Sequence, residues 1–174
     1  PEHPPRQQKQ LVLGTIDLHN VLDCWGFKKH EKHEDCSIPE EYADIILYLQ
    51  EQSYHVIVIS YIGLNSEQLR KDSTEKFAQF NDHLWSIANE EQRKKLPIEF
   101  IITGSRDHHY WGKAAYHKYL CESRGFRPGF HIDDAPDICT DFEKETARAK
   151  EESEHRRVFR VFGGPGKRAA HPRD

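Results

Sequence analysis

The chain has 174 residues, of which 36% are hydrophobic and 31% charged, with a formal net charge of −4. This length fits one domain, and the mixed composition is that of a globular protein with a polar surface rather than a disordered chain. No apolar run approaches the roughly 20 residues of a membrane-spanning helix, and the small net charge gives no general indication of nucleic-acid binding.

The two ends of the chain differ in composition from its middle. Residues 1–9 are rich in proline and polar side chains, which predicts a linker or tail. Residues 163–174 begin glycine-rich and carry basic side chains, which predicts a flexible basic tail. Because the chain starts at Pro1 and contains no methionine, we expect it to be part of a larger polypeptide.

The four cysteines are widely separated and include no Cys-x-x-Cys pair. This pattern favours free thiols in a reducing compartment, so we expect an intracellular protein of the cytoplasm or nucleus. Cys24, His30, His33 and Cys36 have zinc-ligand chemistry. Their spacing matches no common zinc module, and the alternative interpretation is a solvated, charge-dense flap.

Apolar runs recur along the chain, and most end in or run into polar residues. The first, at residues 10–17, is apolar on both faces and ends in Asp17, which suits a central strand of a parallel sheet. Further runs rich in β-branched and aromatic residues predict strands at 54–60, 98–103, 129–133 and 158–162.

Helical patterns separate these strands. Ser37 and Glu40 match a capping box, which predicts the start of the first helix. Its expected buried side chains are Ile38, Tyr42, Ile45, Ile46 and Leu49. Asn65 begins a second capping pattern, and the helical region after it is expected to reach about Leu96. Its expected buried face is Leu69, Phe77, Phe80, Leu84 and Ile87, with a bend near 72–74.

Two more helices complete the pattern. Asp107 is the expected cap of a helix that carries Lys113 and ends at Gly125. The last helix is expected over about 136–152. Alternation of strand and helix predicts an α/β fold, a doubly wound, Rossmann-like parallel sheet of about five strands.

Polar groups gather where the predicted strands end. They are Asp17, His19, Ser60, Thr103, Asp133 and Asp134, with Lys113 near the start of a helix. Ligands of open parallel sheets bind at the carboxyl ends of the strands. Carboxylates from two strands together with a lysine indicate Mg²⁺ and a phosphoryl group.

The order of these motifs resembles that of the haloacid dehalogenase (HAD) superfamily, whose members are mostly Mg²⁺-dependent phosphatases with an aspartate nucleophile. The four motifs stand here as Ile16-Asp17-Leu18-His19-Asn20-Val21-Leu22, Val56-Ile57-Val58-Ile59-Ser60, Trp111-Gly112-Lys113, and Phe130-His131-Ile132-Asp133-Asp134-Ala135-Pro136-Asp137. The resemblance covers residues 10–162, which we therefore expect to form one HAD-like domain.

The resemblance implies a role for each motif. Asp17 would attack phosphorus and form an aspartyl-phosphate. Mg²⁺ would be held by Asp17, the backbone carbonyl of His19, and Asp133 or Asp134. The phosphoryl oxygens would be contacted by Ser60, Lys113 and Asn20. The family's strand order also implies that the first and fourth strands lie side by side.

His19 departs from the family pattern, because phosphatases of the family carry at this position an aspartate that protonates the leaving group. Histidine is a competent general acid or base near neutral pH. A nearby Mg²⁺ would disfavour its charged form by repulsion. The alternative function is therefore a catalytically impaired HAD-fold binding or interaction module.

A cap domain is not expected, since the stretches 18–36 and 104–110 are too short to contain one. In this family an open site goes with macromolecular substrates or with closure by a partner. We therefore expect a phosphorylated substrate, bulky or macromolecular.

Simpler interpretations accompany the site. Asp17 could cap a loop, Lys113 could be a solvated helix residue, and one of the acids at 133–134 could cap the following helix. His108 and His109 are interpreted as loop residues. A phosphorelay receiver domain fits poorly, because its acid pair and lysine occur in the opposite order along the chain.

Overall fold

The centre of the fold is a sheet of five parallel strands. The computed structural model describes residues 10–19, 21–23, 37–63, 66–103, 112–148 and 157–160. The strands are β1 (Val12–Ile16), β2 (Tyr54–Tyr61), β3 (Glu99–Thr103), β4 (Arg127–Asp133) and β5 (Arg157–Arg160). Their order is β3-β2-β1-β4-β5, and every neighbouring pair is parallel. The doubly wound α/β fold expected from the sequence is confirmed.

Within the described residues, five helices connect or follow these strands. They are α1 (Glu41–Glu51), α2 (Glu67–Ile87), α3 (Glu90–Arg93), α4 (Lys113–Arg124) and α5 (Pro136–Arg148). Among the described residues, no helix is both long and apolar enough to cross a membrane. Gly125 follows α4 with a left-handed φ of 71°, which confirms the predicted end of that helix.

Apolar side chains pack on both faces of the sheet, since successive residues of a strand point to opposite sides. On one face, Ile16, Val56 and Val58 pack with the buried side of α1 and α2. On the other, Leu13, Ile57 and Ile59 pack with Leu120 and Cys121 of α4. Burial on both faces explains why the central strands are continuous apolar runs.

The position of β1 creates the site described below. From β1 the chain moves outward to β2 and β3, then returns to place β4 on the other side of β1. The expected adjacency of the first and fourth strands is confirmed. Crevices at such a reversal of strand order, at the carboxyl ends of the strands, are the usual ligand sites of open α/β sheets.

The first helix differs from its prediction. It begins at Glu41 after Glu40, and no side chain caps it, so the predicted capping box at Ser37 is wrong. Ile45 was expected to be buried but is 51% exposed. The buried positions are instead Ala43, Ile46, Leu47 and Gln50. Gln50 is tolerated inside because its amide pairs with the backbone of Val56 and Lys95.

The later helices also differ in their boundaries. The second runs without interruption through 72–74 and ends at Ile87, which is 44% exposed rather than buried. A separate helix α3 follows, with a capping box between Asn89 and Gln92. Gly112 rather than Asp107 occupies the N-cap of α4. The helix α5 is described as far as Arg148, and its expected end near residue 152 lies outside the described residues.

Several predictions fall outside the described residues. They concern the two tails, the phosphate-binding role of Asn20, the zinc-like set at 24–36, the pair His108 and His109, and the stretches at which a cap would be inserted. The boundaries of the HAD-like domain and the absence of a cap therefore stay predictions.

Candidate active site at the carboxyl edge of the sheet

Asp17 and Asp133 lie side by side at the carboxyl ends of β1 and β4. Ile16 pairs with Ile132 in the parallel ladder, and the Asp17 N–H continues it by donating to the Ile132 carbonyl oxygen at 2.9 Å. Equal register on neighbouring strands puts the next residues, the two aspartates, on the same face. Both carboxylates are buried.

Lys113 joins the two carboxylates. Its Nζ donates to Asp17 Oδ1 at 2.8 Å and to Asp133 Oδ2 at 2.7 Å. It is the first residue of α4 and only 4% exposed. A buried lysine is costly unless it is paired, so its ammonium group belongs to the site rather than to solvent. The reading of Lys113 as a solvated helix residue is wrong.

A third acid completes the group. Asp17, Asp133 and Asp134 each offer a carboxylate oxygen, and these oxygens lie within 4.8 Å of one another. Asp133 Oδ1 also accepts the Ala135 N–H at 3.0 Å. Three carboxylates facing one ammonium group leave a negative charge that a divalent cation would neutralise. The donor set is all oxygen, which fits Mg²⁺.

The protonation of these groups follows from burial and mutual charge. Burial raises the pKa of Asp17 well above its usual value, Lys113 partly opposes this, and the Asp133 charge adds to it. Burial also opposes ionisation of Asp133, but hydrogen bonds from His131 and Lys113 and their charges lower its pKa to about 2. The two carboxylates raise the pKa of Lys113 despite its burial. The site therefore favours cations.

A second polar row, not predicted from the sequence, lies directly below the acids. Thr15 pairs with His131 across β1 and β4, and Thr15 Oγ1 lies 2.7 Å from His131 Nδ1 and 2.9 Å from His117 Nδ1. His131 Nε2 lies 2.8 Å from Asp133 Oδ2. The signal was periodicity: Thr15 and His131 precede the acids by two residues, and His117 follows Lys113 by four.

His19 lies in a different polar cluster, on the other side of the turn after Asp17. Its Nδ1 is 3.1 Å from Asp23 Oδ2 and its Nε2 is 3.2 Å from Ser73 Oγ of α2. Lys76, also on α2, donates to Asp23 Oδ2 at 2.7 Å. Burial would raise the pKa of Asp23, but hydrogen bonds and charges from His19 and Lys76 lower it. The cluster ties the turn to α2.

Ser60 ends up buried near the tip of β2. Its backbone carbonyl accepts a hydrogen bond from Thr103 Oγ1 at 3.4 Å. Among the described residues its hydroxyl has no hydrogen-bond partner, and a buried, unpaired hydroxyl is costly. The structure thus brings Asp17, Lys113, Asp133 and Asp134 together. The Ser60 hydroxyl makes no hydrogen bond to a described residue, and the His19 ring contacts Asp23 and Ser73.

Comparison with known proteins shows the fold at low sequence identity. No protein-family model and no curated protein matches the chain. A structure of the HAD domain of effector protein Lem4 from Legionella pneumophila (inactive mutant) aligns with a TM-score of 0.52 and 11% identity, over 90% of this chain and 88% of that one. The fold therefore resembles a HAD domain.

Two structures of an RNA repair assembly also align. A structure of the Pnkp1/Rnl/Hen1 RNA repair complex gives a TM-score of 0.53 at 14% identity over 94% of this chain. A Pnkp1/Rnl/Hen1 complex gives 0.50 at 14% identity over 89%. This chain spans 46% and 47% of the lengths of those matched chains. Identities this low show a common fold and nothing of activity.

Proposed function

We propose that this domain is a Mg²⁺-dependent phosphohydrolase of HAD type, in which Asp17 forms an aspartyl-phosphate intermediate. The observation that carries the proposal is the Lys113 ammonium group held between Asp17 and Asp133 at 2.8 and 2.7 Å. A nucleophilic carboxylate, a cation site and a phosphate-binding lysine within hydrogen-bond reach are what phosphoryl transfer through an aspartate requires.

Mg²⁺ would be held by the carboxylates of Asp17, Asp133 and Asp134 and the carbonyl oxygen of His19. When bound, it would stabilise the charge that develops on the phosphoryl oxygens. Lys113 would turn one of its N–H groups to a phosphoryl oxygen, and the Ser60 hydroxyl and Asn20 would hold the others. The unpaired hydroxyl of Ser60 supports this role, because a phosphoryl oxygen would satisfy it.

The reaction proceeds in two displacements. An Asp17 carboxylate oxygen forms a bond to phosphorus while the bond from phosphorus to the leaving oxygen breaks. Among the described residues, Asp17 Oδ1 accepts the hydrogen bond from Lys113, so we assign the attack to Oδ2. Water then attacks the phosphorus of the aspartyl-phosphate, which releases inorganic phosphate and restores the carboxylate.

His19 is the proposed proton carrier in both displacements. It would protonate the leaving oxygen in the first and accept a proton from water in the second. Asp23, at 3.1 Å from Nδ1, would orient the ring. For proton transfer, His19 Nε2 would give up its contact with Ser73 and form a hydrogen bond to the substrate instead.

The substrate is proposed to be a phosphorylated macromolecule, with the domain acting inside a larger polypeptide. This proposal rests on the short stretches in which a cap would otherwise be inserted. The chain also spans about half of the matched chains in the RNA repair complexes. Phosphopeptides and oligonucleotides with a terminal phosphate are therefore the first macromolecular substrates to compare.

The direct test is hydrolysis of an aryl phosphate, with Mg²⁺ and with a chelator. We expect turnover that requires Mg²⁺ and falls to background in Asp17→Asn. Asp141→Asn is the matched control, because Asp141 is an exposed aspartate of α5 outside the acidic group. Absence of turnover across pH 5–8 with aryl, peptide and oligonucleotide phosphates would contradict the proposal.

A binding module is the second candidate function, and one observation favours it. Both ring nitrogens of His19 lie at hydrogen-bond distance from Asp23 and Ser73, and no carboxylate occupies the acid position two residues after Asp17. Such a site would bind Mg²⁺ and a phosphorylated ligand without turnover. Calorimetric binding of Mg²⁺ and a phosphopeptide to protein that hydrolyses nothing would establish this function.

A further inference from the structure

A continuous chain of hydrogen-bonding groups runs beneath the acidic group. It links His117 to Thr15 at 2.9 Å, Thr15 to His131 at 2.7 Å, and His131 to Asp133 at 2.8 Å. All four residues are fully buried. Because buried polar groups are costly unless each is satisfied, a row of this kind needs a reason beyond core packing.

The direction of each hydrogen bond follows from the Asp133 end. Asp133, paired with Lys113 at 2.7 Å, is a carboxylate and can only accept, so His131 Nε2 donates to it. The neutral His131 ring then accepts at Nδ1 from the Thr15 hydroxyl. That hydroxyl has one hydrogen, so it accepts from His117 Nδ1. This arrangement of protons gives each of the three hydrogen bonds one donor and one acceptor.

The rings of this chain are held by an aromatic neighbour. Phe142 of α5 stacks on His131 with a centroid distance of 4.1 Å and an interplanar angle of 11°. The same ring meets His117 edge-on at 5.5 Å and 88°. Stacking fixes the plane of His131, and with it the direction in which Nε2 points at Asp133.

We propose that His131 and Thr15 are positioning residues that hold the Asp133 carboxylate in the orientation needed to bind the cation. This inference rests on the proposed function of the acidic group. Asp133 Oδ2 accepts from both Lys113 and His131, whereas Oδ1 accepts from the Ala135 N–H alone among the contacts assigned to it. Oδ1 therefore keeps an electron pair that can bind a cation.

The test is calorimetric titration of the protein with Mg²⁺ alone. His131→Phe keeps a stacked ring but removes the donor, and we expect Mg²⁺ binding about 10- to 100-fold weaker, as for loss of partners that orient metal ligands. His131→Gln keeps an N–H near the position of Nε2 and should restore most of the affinity. Thr15→Val should weaken binding less than His131→Phe, since it acts through the imidazole.

Leu120→Ala is the matched control. Leu120 is fully buried on the same face of the sheet as Thr15, in the apolar cluster of that face. Thermal unfolding in chelator reports the stability of each variant. Unchanged Mg²⁺ affinity in His131→Phe would overturn the proposal, and so would an equal loss of affinity in an equally destabilised Leu120→Ala. If His131→Phe does not fold, the Mg²⁺ affinities of the other two variants are compared. Weaker binding in Thr15→Val than in His131→Gln supports the proposal, and equal binding in the two overturns it.

The failure of this inference is distinguishable from failure of the proposed function. Wild-type protein that binds Mg²⁺ but hydrolyses no phosphoester contradicts the phosphohydrolase and leaves the positioning role standing. Wild-type protein that hydrolyses phosphoesters while His131→Phe binds Mg²⁺ normally contradicts the positioning role alone. Wild-type protein that binds no Mg²⁺ overturns both.

Discussion

The carboxylates of Asp17 and Asp133 share one hydrogen-bond donor, the Lys113 ammonium group, at 2.8 and 2.7 Å. The two acids end neighbouring parallel strands at the point where the strand order of the sheet reverses. All three groups are buried, so removal of one leaves uncompensated charge on the others. This dependence makes the site testable through stability as well as through activity.

Lys113→Met would remove the positive charge that lies between the carboxylates of Asp17 and Asp133. Metal-free protein should then lose thermal stability, because two buried carboxylates face each other without a cation. Mg²⁺ should restore stability to the variant more than it stabilises wild type. Thermal unfolding in chelator and in Mg²⁺ measures this. Lys118→Met, at an exposed position of the same helix, should respond to Mg²⁺ as wild type does.

Asp133→Asn should change how the free energy of unfolding depends on pH under acidic conditions. The folded pKa of Asp133, about 2, lies below the ordinary aspartate value of 3.8. Its ionisation therefore stabilises the fold above about pH 4, and this contribution is lost as pH falls toward 2. The contribution amounts to about 2 kcal/mol. Free energies of unfolding in chelator should fall less steeply over this range in Asp133→Asn, while Asp141→Asn should keep the wild-type slope.

His19→Ala distinguishes a role of His19 in proton transfer from a role in holding the turn after Asp17 against α2. A nitrophenolate leaves without a proton, whereas an alkoxide needs one. If His19 is the general acid, as proposed, turnover of an alkyl phosphate should fall about 100-fold or more, while aspartyl-phosphate formation from the nitrophenyl ester should change little. Ser73→Ala is the matched variant, since it removes only the contact to Nε2 at 3.2 Å. Equal losses for both esters would assign His19 to anchoring.

Gly129→Ala should force β1 and β4 apart. A Cβ at Gly129 would lie 2.3 Å from the Leu13 carbonyl oxygen, a backbone atom that cannot move aside. The register between these strands shifts at the same level, between Leu13 and Gly14. We expect a loss of about 1–3 kcal/mol in the free energy of unfolding, measured by denaturant titration. Gly63→Ala, where a Cβ meets nothing within 4 Å, should cost much less.

The sequence predicted the strands well because their signal is local. Continuous apolar runs are needed wherever a strand is covered on both faces, so β1 to β4 were placed within two residues. The helices were less accurate. Ile45 and Ile87 fit a helical stripe but are about half exposed. In α1 the buried face is Ala43, Ile46, Leu47 and Gln50 instead. This face admits Gln50 because its amide pairs with the backbone of Val56 and Lys95.

The candidate site divides in the same way. Asp17, Lys113 and the acids at 133–134 were predictable, since each stands at the end of a strand or the start of a helix, and the strand order brings those ends together. The polar residues of the second row lie within β1, β4 and α4, where a single polar residue does not by itself indicate a functional site. They are Thr15, His131 and His117. Only their meeting across β1, β4 and α4 makes them a chain.

The sequence by itself determined the α/β alternation and the positions of the acids and the lysine. The spacing of apolar residues expresses which faces must leave water, and this is a local property. The tertiary structure alone decided that the His19 ring is held by Asp23 and by Ser73, which belongs to α2. It also decided that His131 stands behind Asp133. The contacts that hold these rings, His19 to Ser73 and His131 to Thr15, join elements far apart in the chain, so packing determines them.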